Sequence, residues 1–329
     1  MSSNGVLLKV RDLSTGFKTD RGEVVAVDRV SFDLAPGEVL GVVGESGCGK
    51  SVMTRTIMRL LPRTSFIKQE SVIEFDGINL ATADERTMRK IRGNRIGMIF
   101  QEPMTALNPV FTVGWQIEEA LKYHTPLNKS ERRARVLELL KLVQIPNPEK
   151  RIDEYPHQLS GGMRQRIVIA MALACEPEVL IADEPTTALD VTIQAQILDL
   201  LDDLRRRVRT SVVLITHDLG VVAQVCERVL VMYAGQVVET AEVHELFANP
   251  RHPYTRALLD SLPKPGARDP GSRLRTIEGI VPSLHALPTG CRFRDRCRFA
   301  QEDCREEIPG ISVDSHEAHP VRCIHPLEG

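Results

Sequence analysis

Gly44 to Ser51 place the strongest limit on what this chain can fold into. They read G-E-S-G-C-G-K-S and fit the pattern G-x-x-x-x-G-K-[ST], which binds phosphate when it joins a buried strand to a helix. An apolar run over 39–43 precedes the loop, and helix formers with apolar spacing follow it from Met53. The sequence therefore predicts a strand, a P-loop and a helix, which together begin a nucleotide-binding α/β fold.

The residue types in this loop suit a polyphosphate. Glycines at 44, 47 and 49 let the backbone wrap closely around phosphate oxygens, since a Cβ would block the approach. Backbone N–H groups of the loop and first helical turn then face the phosphates. We expect Lys50 to place its charge on the β- and γ-phosphates and Ser51 to offer its hydroxyl to Mg²⁺. The alternative is a chance glycine loop, which the flanking strand and helix disfavour.

Composition sets the class of protein. The chain has 329 residues, of which 42% are hydrophobic and 26% charged, a balance typical of one large globular domain with an appendage, or of two domains. The net charge of −2 gives no electrostatic case for nucleic acid. No apolar run is long enough to span a membrane, and the N-terminus lacks the pattern of a signal peptide. We therefore expect a cytosolic protein with reduced thiols.

Polar side chains follow three apolar runs that read as buried strands. They are Gln101 after 96–100, Asp183 and Glu184 after 179–182, and His217 after 211–216. Ligands of open α/β folds bind at the carboxyl edge of the sheet, where these groups should lie. Asp183 suits Mg²⁺, and Glu184, aimed at the opposite face of the strand, suits an attacking water. The alternatives are a satisfied strand-end amide, a polar sheet edge and a structural histidine.

Two more positions point to a ligand. Phe17 lies between the first predicted strands and can stack on an adenine, or serve as a core or turn aromatic. Ser160 is a good N-cap, and with Gly161 and Gly162 it exposes backbone N–H groups at a helix N-terminus. That segment is either a second anion site or a capping loop without a ligand. Basic runs at 132–135 and 205–209 read as solvent-facing helix surfaces.

In this order, the motifs resemble those of ABC transporter ATP-binding subunits. The resemblance rests on the P-loop, LSGG at 159–162, LIADE at 180–184, Asp190 and His217. The segments at 44–52, 101–109 and 252–255 and the C-terminal cysteines narrow it to the ATPase subunits of dipeptide and oligopeptide importers. Nickel importers share much of this pattern.

The resemblance implies the fold class, α/β of the ABC type. Its parts are a RecA-like core, an N-terminal antiparallel β subdomain, a helical subdomain at about 102–165 and a small cysteine-rich, metal-binding tail. The ATPase domain would cover 1–262 and the extension 263–329, after a linker near Pro263. The implied function is ATP hydrolysis that powers uptake of di- or oligopeptides; the alternatives are import of nickel or another small solute, or a non-transport ABC ATPase.

The resemblance also implies a role for each candidate site residue. Gln101 would contact Mg²⁺ and the attacking water, Glu184 would be the catalytic carboxylate and His217 the switch histidine. The Ser160 loop would bind the γ-phosphate of ATP held by an opposite subunit, and Asp190 would face that subunit. Phe17 would stack on adenine with its ring alone. The implied nucleotide-binding set is Phe17, Gly44, Ser46, Gly47, Cys48, Gly49, Lys50, Ser51, Val52, Asp183, Ser160, Gly161, Gly162 and Asp190.

The expected partners follow from the single P-loop. Two ATP would be sandwiched between the P-loop and LSGG motifs of paired subunits, so a second ABC ATPase is needed. In related importers it is usually a similar but distinct subunit, and a homodimer is the alternative. Two membrane permeases would dock on the loop from Met104 to Phe111 and on the region 113–150. An extracytoplasmic peptide-binding protein completes the set, and no nucleic acid is expected. The subunit would be peripheral, at the cytoplasmic face of the inner membrane.

Four of the seven cysteines crowd the C-terminal end with the spacing C-x5-C-x6-C-x18-C; they are Cys291, Cys297, Cys304 and Cys323. Four thiolates suit Zn²⁺ or an iron–sulfur cluster, and the lack of a C-x2-C pair argues against a zinc ribbon. The resemblance implies a [4Fe–4S] cluster, with Zn²⁺ or free thiols as alternatives. Arginines at 292, 294, 296 and 298 could offset the charge of a thiolate-bound cluster. His316, His319 and His325 are expected at the surface, with substitute ligands as the alternative.

Overall fold

The computed structural model describes residues 5–101, 106–186, 190–262, 276–311 and 319–328. Its strands are β1 (Leu8–Thr19), β2 (Gly22–Leu34), β3 (Val39–Val43), β4 (Ser65–Ile67), β5 (Val72–Phe75), β6 (Ile78–Asn79), β7 (Ile96–Ile99), β8 (Val179–Asp183), β9 (Ser211–Ile215), β10 (Arg228–Tyr233) and β11 (Gln236–Glu242).

Helices alternate with these strands over much of the chain. They are α1 (Lys50–Ile57), α2 (Glu85–Ile91), α3 (Val113–His124), α4 (Lys129–Leu142), α5 (Pro148–Arg151), α6 (Gly161–Ala172), α7 (Val191–Val208), α8 (Leu219–Val225), α9 (Val243–Ala248) and α10 (Pro253–Asp260). Short 3₁₀ turns lie at Pro156–Gln158, Arg294–Arg296 and Glu302–Arg305. No helix in the described part of the chain is long and apolar enough to cross a membrane.

The chain divides into two compact units. The first unit comprises 1–9, 33–39 and 74–216. Its centre is a run of parallel strands in which β8 pairs with β7 on one side and β9 on the other. All residues of β8 and β9 are buried, as expected for parallel strands covered on both faces. Antiparallel β5 and β6 and helices α2 to α7 belong to the same unit.

Capping residues fix where the helices of the first unit begin. Thr112 caps α3 by accepting a hydrogen bond from the Trp115 N–H. Asn128 caps α4 and forms a capping box with Glu131, in which each side chain bonds the other's backbone N–H. Such caps satisfy N–H groups that lack partners within the helix. The chain from 113 to 151 therefore contains three helices, α3, α4 and α5.

The second unit comprises 10–32, 40–73 and 217–329. In it β3 pairs in parallel with β10, and β10 pairs antiparallel with β11. Strand β4 pairs antiparallel with β1. Residues near the C-terminus join this unit through a bridge between Glu239 of β11 and Val321. The P-loop and the four clustered cysteines therefore belong to one compact unit.

The mixed α/β architecture agrees with the expected class, while some element ends differ. Helix α1 ends at Ile57, so the apolar spacing at Leu60 does not continue the helix, and Leu60 is exposed. The predicted N-cap is confirmed, because Ser160 caps α6 and the helix begins at Gly161. The predicted boundary between 262 and 263 borders the segment 263–275, which lies outside the described residues, and it stays a prediction.

Candidate nucleotide-binding site

The P-loop joins β3 to α1 in the second unit. All residues of β3 are buried, which fixes where the loop starts. Gly49 is the N-cap of α1 with φ 105°, and it has no side chain to cap the helix. The start of α1 therefore has no side-chain cap, and the helix dipole favours an anion there.

Glycine is favoured at the loop positions for two different structural reasons. A Cβ on Gly49 would lie 2.6 Å from the Ala26 carbonyl oxygen, and one on Gly44 would meet the Met232 carbonyl. Gly47 has φ 79°, with nothing within 4 Å of the Cβ position. The expectation that every glycine makes room for phosphate is therefore incomplete, because two of them make room for the protein's own backbone.

Lys50 is held inside the loop and is only 5% exposed. Its Nζ donates to the carbonyl oxygens of Gly44 at 2.7 Å and Glu45 at 3.1 Å. The buried Cys48 Sγ lies 3.8 Å from the same Nζ, and burial raises the pKa of this thiol despite the opposing lysine charge. The loop thus fixes one ammonium group at the N-terminus of α1, next to a neutral thiol.

The rest of the second unit holds the P-loop at two backbone positions. The N–H of Glu45 donates to the Tyr254 hydroxyl at 2.9 Å, and the N–H of Gly235 donates to the Cys48 carbonyl at 2.9 Å. Tyr254 belongs to the H-P-Y-T segment at 252–255, which is one of the features that resemble peptide importers. No periodicity or motif rule links it to a loop 209 residues away.

The other predicted nucleotide contacts of this unit lie at partly exposed or exposed positions. Phe17 is half-buried in β1 opposite Ser65 of β4. His217 is exposed just before α8, which Asp218 caps by accepting from the Gly220 N–H at 2.8 Å. Among the remaining loop residues, Ser46 is exposed, and Ser51 and Val52 are half-buried. Their proposed roles stay predictions.

In the first unit, the structure brings Gln101 and Glu184 together. Nε2 of Gln101 donates to Oε2 of Glu184 at 3.0 Å. Asp183 is the last residue of β8 and is fully buried. Glu184 has φ 48°, and its N–H donates to the Ile215 carbonyl at 3.0 Å. Strand alternation therefore does not set the direction of Glu184, because β8 ends at Asp183 and a left-handed residue follows it.

The Ser160 loop presents an exposed helix start. Ser160 and Gly161 are exposed, and the Ser160 Oγ accepts from the Met163 N–H at 3.3 Å. A Cβ on Gly161 would meet nothing within 4 Å, whereas one on Gly162 would lie 3.1 Å from Ile193. Asp190 is exposed at the N-cap of α7, without a side-chain capping bond. The Ser160 loop is thus an exposed helix N-terminus, where the helix dipole favours negative charge, and its anion-binding role stays a prediction.

The four clustered cysteines line one pocket in the second unit. Its wall comprises Cys291, Cys297, Cys304 and Cys323 together with His252, Pro253, Phe293, Arg294, Phe299, Ile324 and His325. Burial, together with the charge of the other three cysteines, raises the pKa of Cys323 to about 12. Burial also raises the pKa of Cys291 and of Cys297. The thiols are thus close enough to disfavour each other's ionisation, a penalty that a bound cation would reverse.

Several charged residues near the cysteines are not where the sequence placed them. Arg292 pairs with Asp28 at 2.5 Å and Arg296 with Glu45 at 2.6 Å, so these two arginines do not serve the pocket. His319 is buried against Glu239 at 2.7 Å, not at the surface. His325 lines the pocket and contacts Asp303 at 2.8 Å. His316 lies outside the described residues.

Fold and site together define a P-loop nucleotide-binding protein, and comparison with known proteins narrows the class. The ABC transporter family model matches residues 27–187, and the model for the C-terminal region of oligopeptide/dipeptide transporters matches 238–304. The probable peptide ABC transporter ATP-binding protein y4tR of Sinorhizobium fredii is 54% identical, covering 97% of this chain and 94% of that protein. The dipeptide transport ATP-binding protein DppD of Escherichia coli is 49% identical, covering 98% and 97%.

Solved structures agree with the fold. The dimeric ATP-binding cassette MJ0796 bound to ADP and phosphate is 31% identical, with a TM-score of 0.65 over 72% of this chain and 99% of that one. CbiO1 of Clostridium perfringens, part of the ABC transporter complex cbiONQ, is 29% identical, with a TM-score of 0.63 over 74% and 92%. The chain belongs to the ATP-binding subunits of peptide ABC transporters.

Proposed function

We propose that this chain hydrolyses ATP to drive uptake of di- or oligopeptides through a membrane transporter. The observation that carries this proposal is similarity to peptide-transport subunits over nearly the whole length, C-terminal region included. Both relatives described above are named for peptide transport, which favours peptides over nickel or another small solute, and a non-transport ATPase would not need that C-terminal region. The site proposed for catalysis lies at the cytoplasmic side, on a peripheral subunit.

The proposed chemistry divides between binding and water activation. Lys50, fixed on the loop carbonyls, would balance charge on the β- and γ-phosphates. The Ser51 hydroxyl and the buried Asp183 carboxylate are each proposed as oxygen ligands for Mg²⁺, which prefers such groups and neutralises developing phosphate charge. Glu184 would accept the proton of the attacking water while Gln101, hydrogen-bonded to it, orients the carboxylate.

A second subunit is proposed to complete each ATP site. The Ser160 loop is exposed at the N-terminus of α6. Ser160 Oγ caps this helix by accepting from the Met163 N–H. We propose that this loop binds the γ-phosphate of ATP held on the P-loop of a partner ATPase, and that Asp190 faces the same partner. The dimeric form of the solved relative with bound ADP and phosphate supports this arrangement. Hydrolysis would then remove contacts that hold the two subunits together.

Permeases are proposed to dock beside α3. Val110, Phe111 and Trp115 are exposed apolar residues, and the last two stack with ring centroids 4.0 Å apart. An apolar group of this kind marks an interaction site. Residues 106–109 separate this group from the segment 102–105, which includes Met104 and lies outside the described residues. The extracytoplasmic peptide-binding protein of the proposed importer would contact those permeases.

We also propose that the four cysteines hold a [4Fe–4S] cluster. Tetrahedral zinc would bring four thiolate sulfurs to about 3.8 Å from one another, given a Zn–S distance near 2.3 Å. Among described residues, ligand atoms of Asp303, Cys304 and His325 lie within 4.8 Å of one another, but no three of the four cysteine sulfurs form such a group. A cluster spaces its thiolates more widely, because each binds a different iron. The pocket therefore fits a cluster better than one zinc ion.

The function is tested with the assembled transporter in proteoliposomes. Dipeptides with their binding protein should stimulate ATP hydrolysis, and labelled dipeptide should accumulate in the lumen. Nickel should produce neither effect. Stimulation by nickel with no response to peptides would contradict the proposed cargo while leaving the ATPase assignment intact.

The cluster is tested on protein purified without oxygen. The expected sample is brown, absorbs near 400 nm as iron–sulfur centres do, and contains iron and acid-labile sulfide in equal amounts. The variant Cys304→Ser should lose the absorbance, while Cys175→Ser, whose thiol lies outside the pocket, should keep it. A colourless, zinc-loaded sample would rule out the cluster.

A further inference from the structure

Arg296 was expected to serve the cysteine pocket, yet it contacts the P-loop. Its Nη1 lies 2.6 Å from Glu45 Oε2 and its Nη2 lies 3.0 Å from Glu45 Oε1. The pair is therefore bidentate, the strongest geometry for an arginine and a carboxylate. The Arg296 side chain is only 5% exposed, so water competes little for the guanidinium.

The guanidinium is fixed from its other side as well. It donates from Nε to the Glu278 carbonyl at 3.0 Å and from Nη2 to the Ile277 carbonyl at 3.3 Å. It also lies 3.4 Å from the Tyr233 hydroxyl. Pairing with Glu45 raises the pKa of Arg296 above its ordinary value, so the group stays charged. A guanidinium held in this way can fix the position of its partner.

Glu45 in turn controls where the phosphate-binding lysine lies. Its carbonyl oxygen accepts from Lys50 Nζ at 3.1 Å, and its N–H donates to Tyr254 at 2.9 Å. Movement of Glu45 would therefore move the lysine ammonium and the loop backbone together. Glu45 is therefore held at three points: its side chain, its N–H and its carbonyl oxygen.

A second arginine of the same segment supports the loop by another route. Arg292 donates to the Asp28 carboxylate and to the Ala234 carbonyl, each at 2.5 Å. Gly235, next in the chain, donates its N–H to the Cys48 carbonyl at 2.9 Å. Because both arginines come from 292–296, the C-terminal segment contacts the P-loop directly and through the β10–β11 turn.

We propose that Arg296 is a positioning residue for the nucleotide: by holding Glu45 it keeps the P-loop in the conformation that binds phosphate, so the C-terminal segment sets the affinity for MgATP. If the ligand binds only the ordered loop, the apparent affinity falls in proportion to the fraction of time that the loop is ordered. The proposal rests on the nucleotide site of the proposed function and adds a residue that lies outside the nucleotide-binding set.

The test is a charge swap read out by equilibrium binding of MgATP to the full chain. Arg296→Glu should weaken binding roughly tenfold, within the range of couplings between distinct sites. The double variant E45R/R296E restores an ion pair with reversed polarity and should recover most of the affinity. Arg298→Glu is the matched control, because Arg298 pairs with Asp260 at 3.5 Å and is exposed. It should bind MgATP as the wild type does.

Two further readouts separate positioning from a general loss of structure. Thermal unfolding without nucleotide must show that each variant is folded at the binding temperature, and Arg296→Lys should bind with intermediate affinity. In the assembled transporter, Arg296→Glu should raise KM for ATP and leave kcat at saturating ATP near the wild-type value. Wild-type affinity in R296E, or a double variant no better than R296E, would overturn the proposal. Failure of the wild-type chain to bind MgATP would instead contradict the nucleotide site itself.

Discussion

The amide of Gln101 donates a hydrogen bond to the carboxylate of Glu184, with 3.0 Å between Nε2 and Oε2. Glu184 reaches this position through a left-handed backbone, φ 48°, held by its N–H bond to the Ile215 carbonyl. Such a conformation is uncommon outside glycine and costs about 1 kcal/mol or more. A conformation of this kind, kept at a carboxylate that a neighbouring amide orients, supports its proposed role toward the attacking water.

Glu184→Gln should leave MgATP binding within about twofold of the wild type and lower kcat by roughly 10²- to 10⁴-fold, the range of general-base catalysis. The reason is that the amide retains the shape and the hydrogen-bonding capacity of the carboxylate but cannot take a proton. Phosphate release by the assembled transporter measures the rate, and ATP should trap the paired subunits on size exclusion. Gln101→Ala, which keeps the base but loses its orientation, should have a smaller effect. Phosphate release at the wild-type rate in E184Q would show that another group is the base.

Gly49→Ala should destabilise the fold more than Gly47→Ala does. The Cβ at 49 would lie 2.6 Å from a backbone carbonyl, whereas the Cβ at 47 meets nothing within 4 Å. Both positions have positive φ, a strain of about 1 kcal/mol for alanine. Thermal unfolding and MgATP binding measure the two effects. G47A should remain folded yet bind MgATP weakly, because its methyl group would occupy open space beside the proposed phosphate site. Equal unfolding temperatures would contradict the steric explanation for Gly49.

Gly161→Asp should separate folding from hydrolysis. No atom lies within 4 Å of a Cβ at Gly161, and an acidic side chain in the first turn of a helix is favourable by about 0.3–1 kcal/mol. The variant should unfold at or above the wild-type temperature and bind MgATP on its own P-loop unchanged. Its charge would repel the γ-phosphate on the partner subunit, so hydrolysis by the assembled transporter should fall roughly 100-fold or more, the cost of losing an electrostatic contact to the reacting group. Normal turnover would mean that the Ser160 loop binds no phosphate.

His252 should make the stability of the chain depend on pH. It is 1% exposed, its Nδ1 accepts from the Tyr254 N–H at 3.0 Å, and burial lowers its pKa to about 4. In the unfolded chain the pKa is about 6.5, so below that pH the unfolded state takes up a proton that the native state refuses. The free energy of unfolding is therefore not reduced by His252 above about pH 6.5. It decreases as the pH falls from there toward about 4, the pKa of His252 in the folded chain.

Between pH 7.5 and 5.5 the expected loss from this histidine is about 1.4 kcal/mol. His252→Asn keeps an oxygen that can cap α10 and should not show this part of the loss. Urea unfolding of both proteins at the two pH values gives the comparison. A parallel decline in both would mean that other groups account for the pH dependence.

The strands around the site could be predicted because their signals are local. The apolar runs at 39–43, 179–182 and 211–216 match β3, β8 and β9 to within about one residue at their ends, and the P-loop pattern predicted a helix after the loop, which is α1. The backbone conformation of Glu184 could not be predicted, because the alternation of side chains applies only within a strand and β8 ends at Asp183. A left-handed residue directly after the strand changes the direction of its side chain.

The contacts around Glu45 could not be predicted either. Arg296 and Glu45 are 251 residues apart in sequence, and Arg292 and Asp28 are 264 apart. Single polar residues at such separations leave no periodic pattern, and arginines beside cysteines read naturally as compensation for thiolate charge. His319 was placed at the surface for the same reason, because its buried partner Glu239 is distant in sequence.

The ion pair between Arg296 and Glu45 also has a consequence for the order of events on the ribosome. Glu45 emerges early, while its guanidinium partner is added 251 residues later. At about 5–20 residues per second, that interval lasts roughly 13–50 s. During this time the P-loop of the nascent chain would lack its ion pair with Arg296 and bind ATP weakly. The growing chain would therefore bind ATP tightly only after Arg296 has been added and has paired with Glu45.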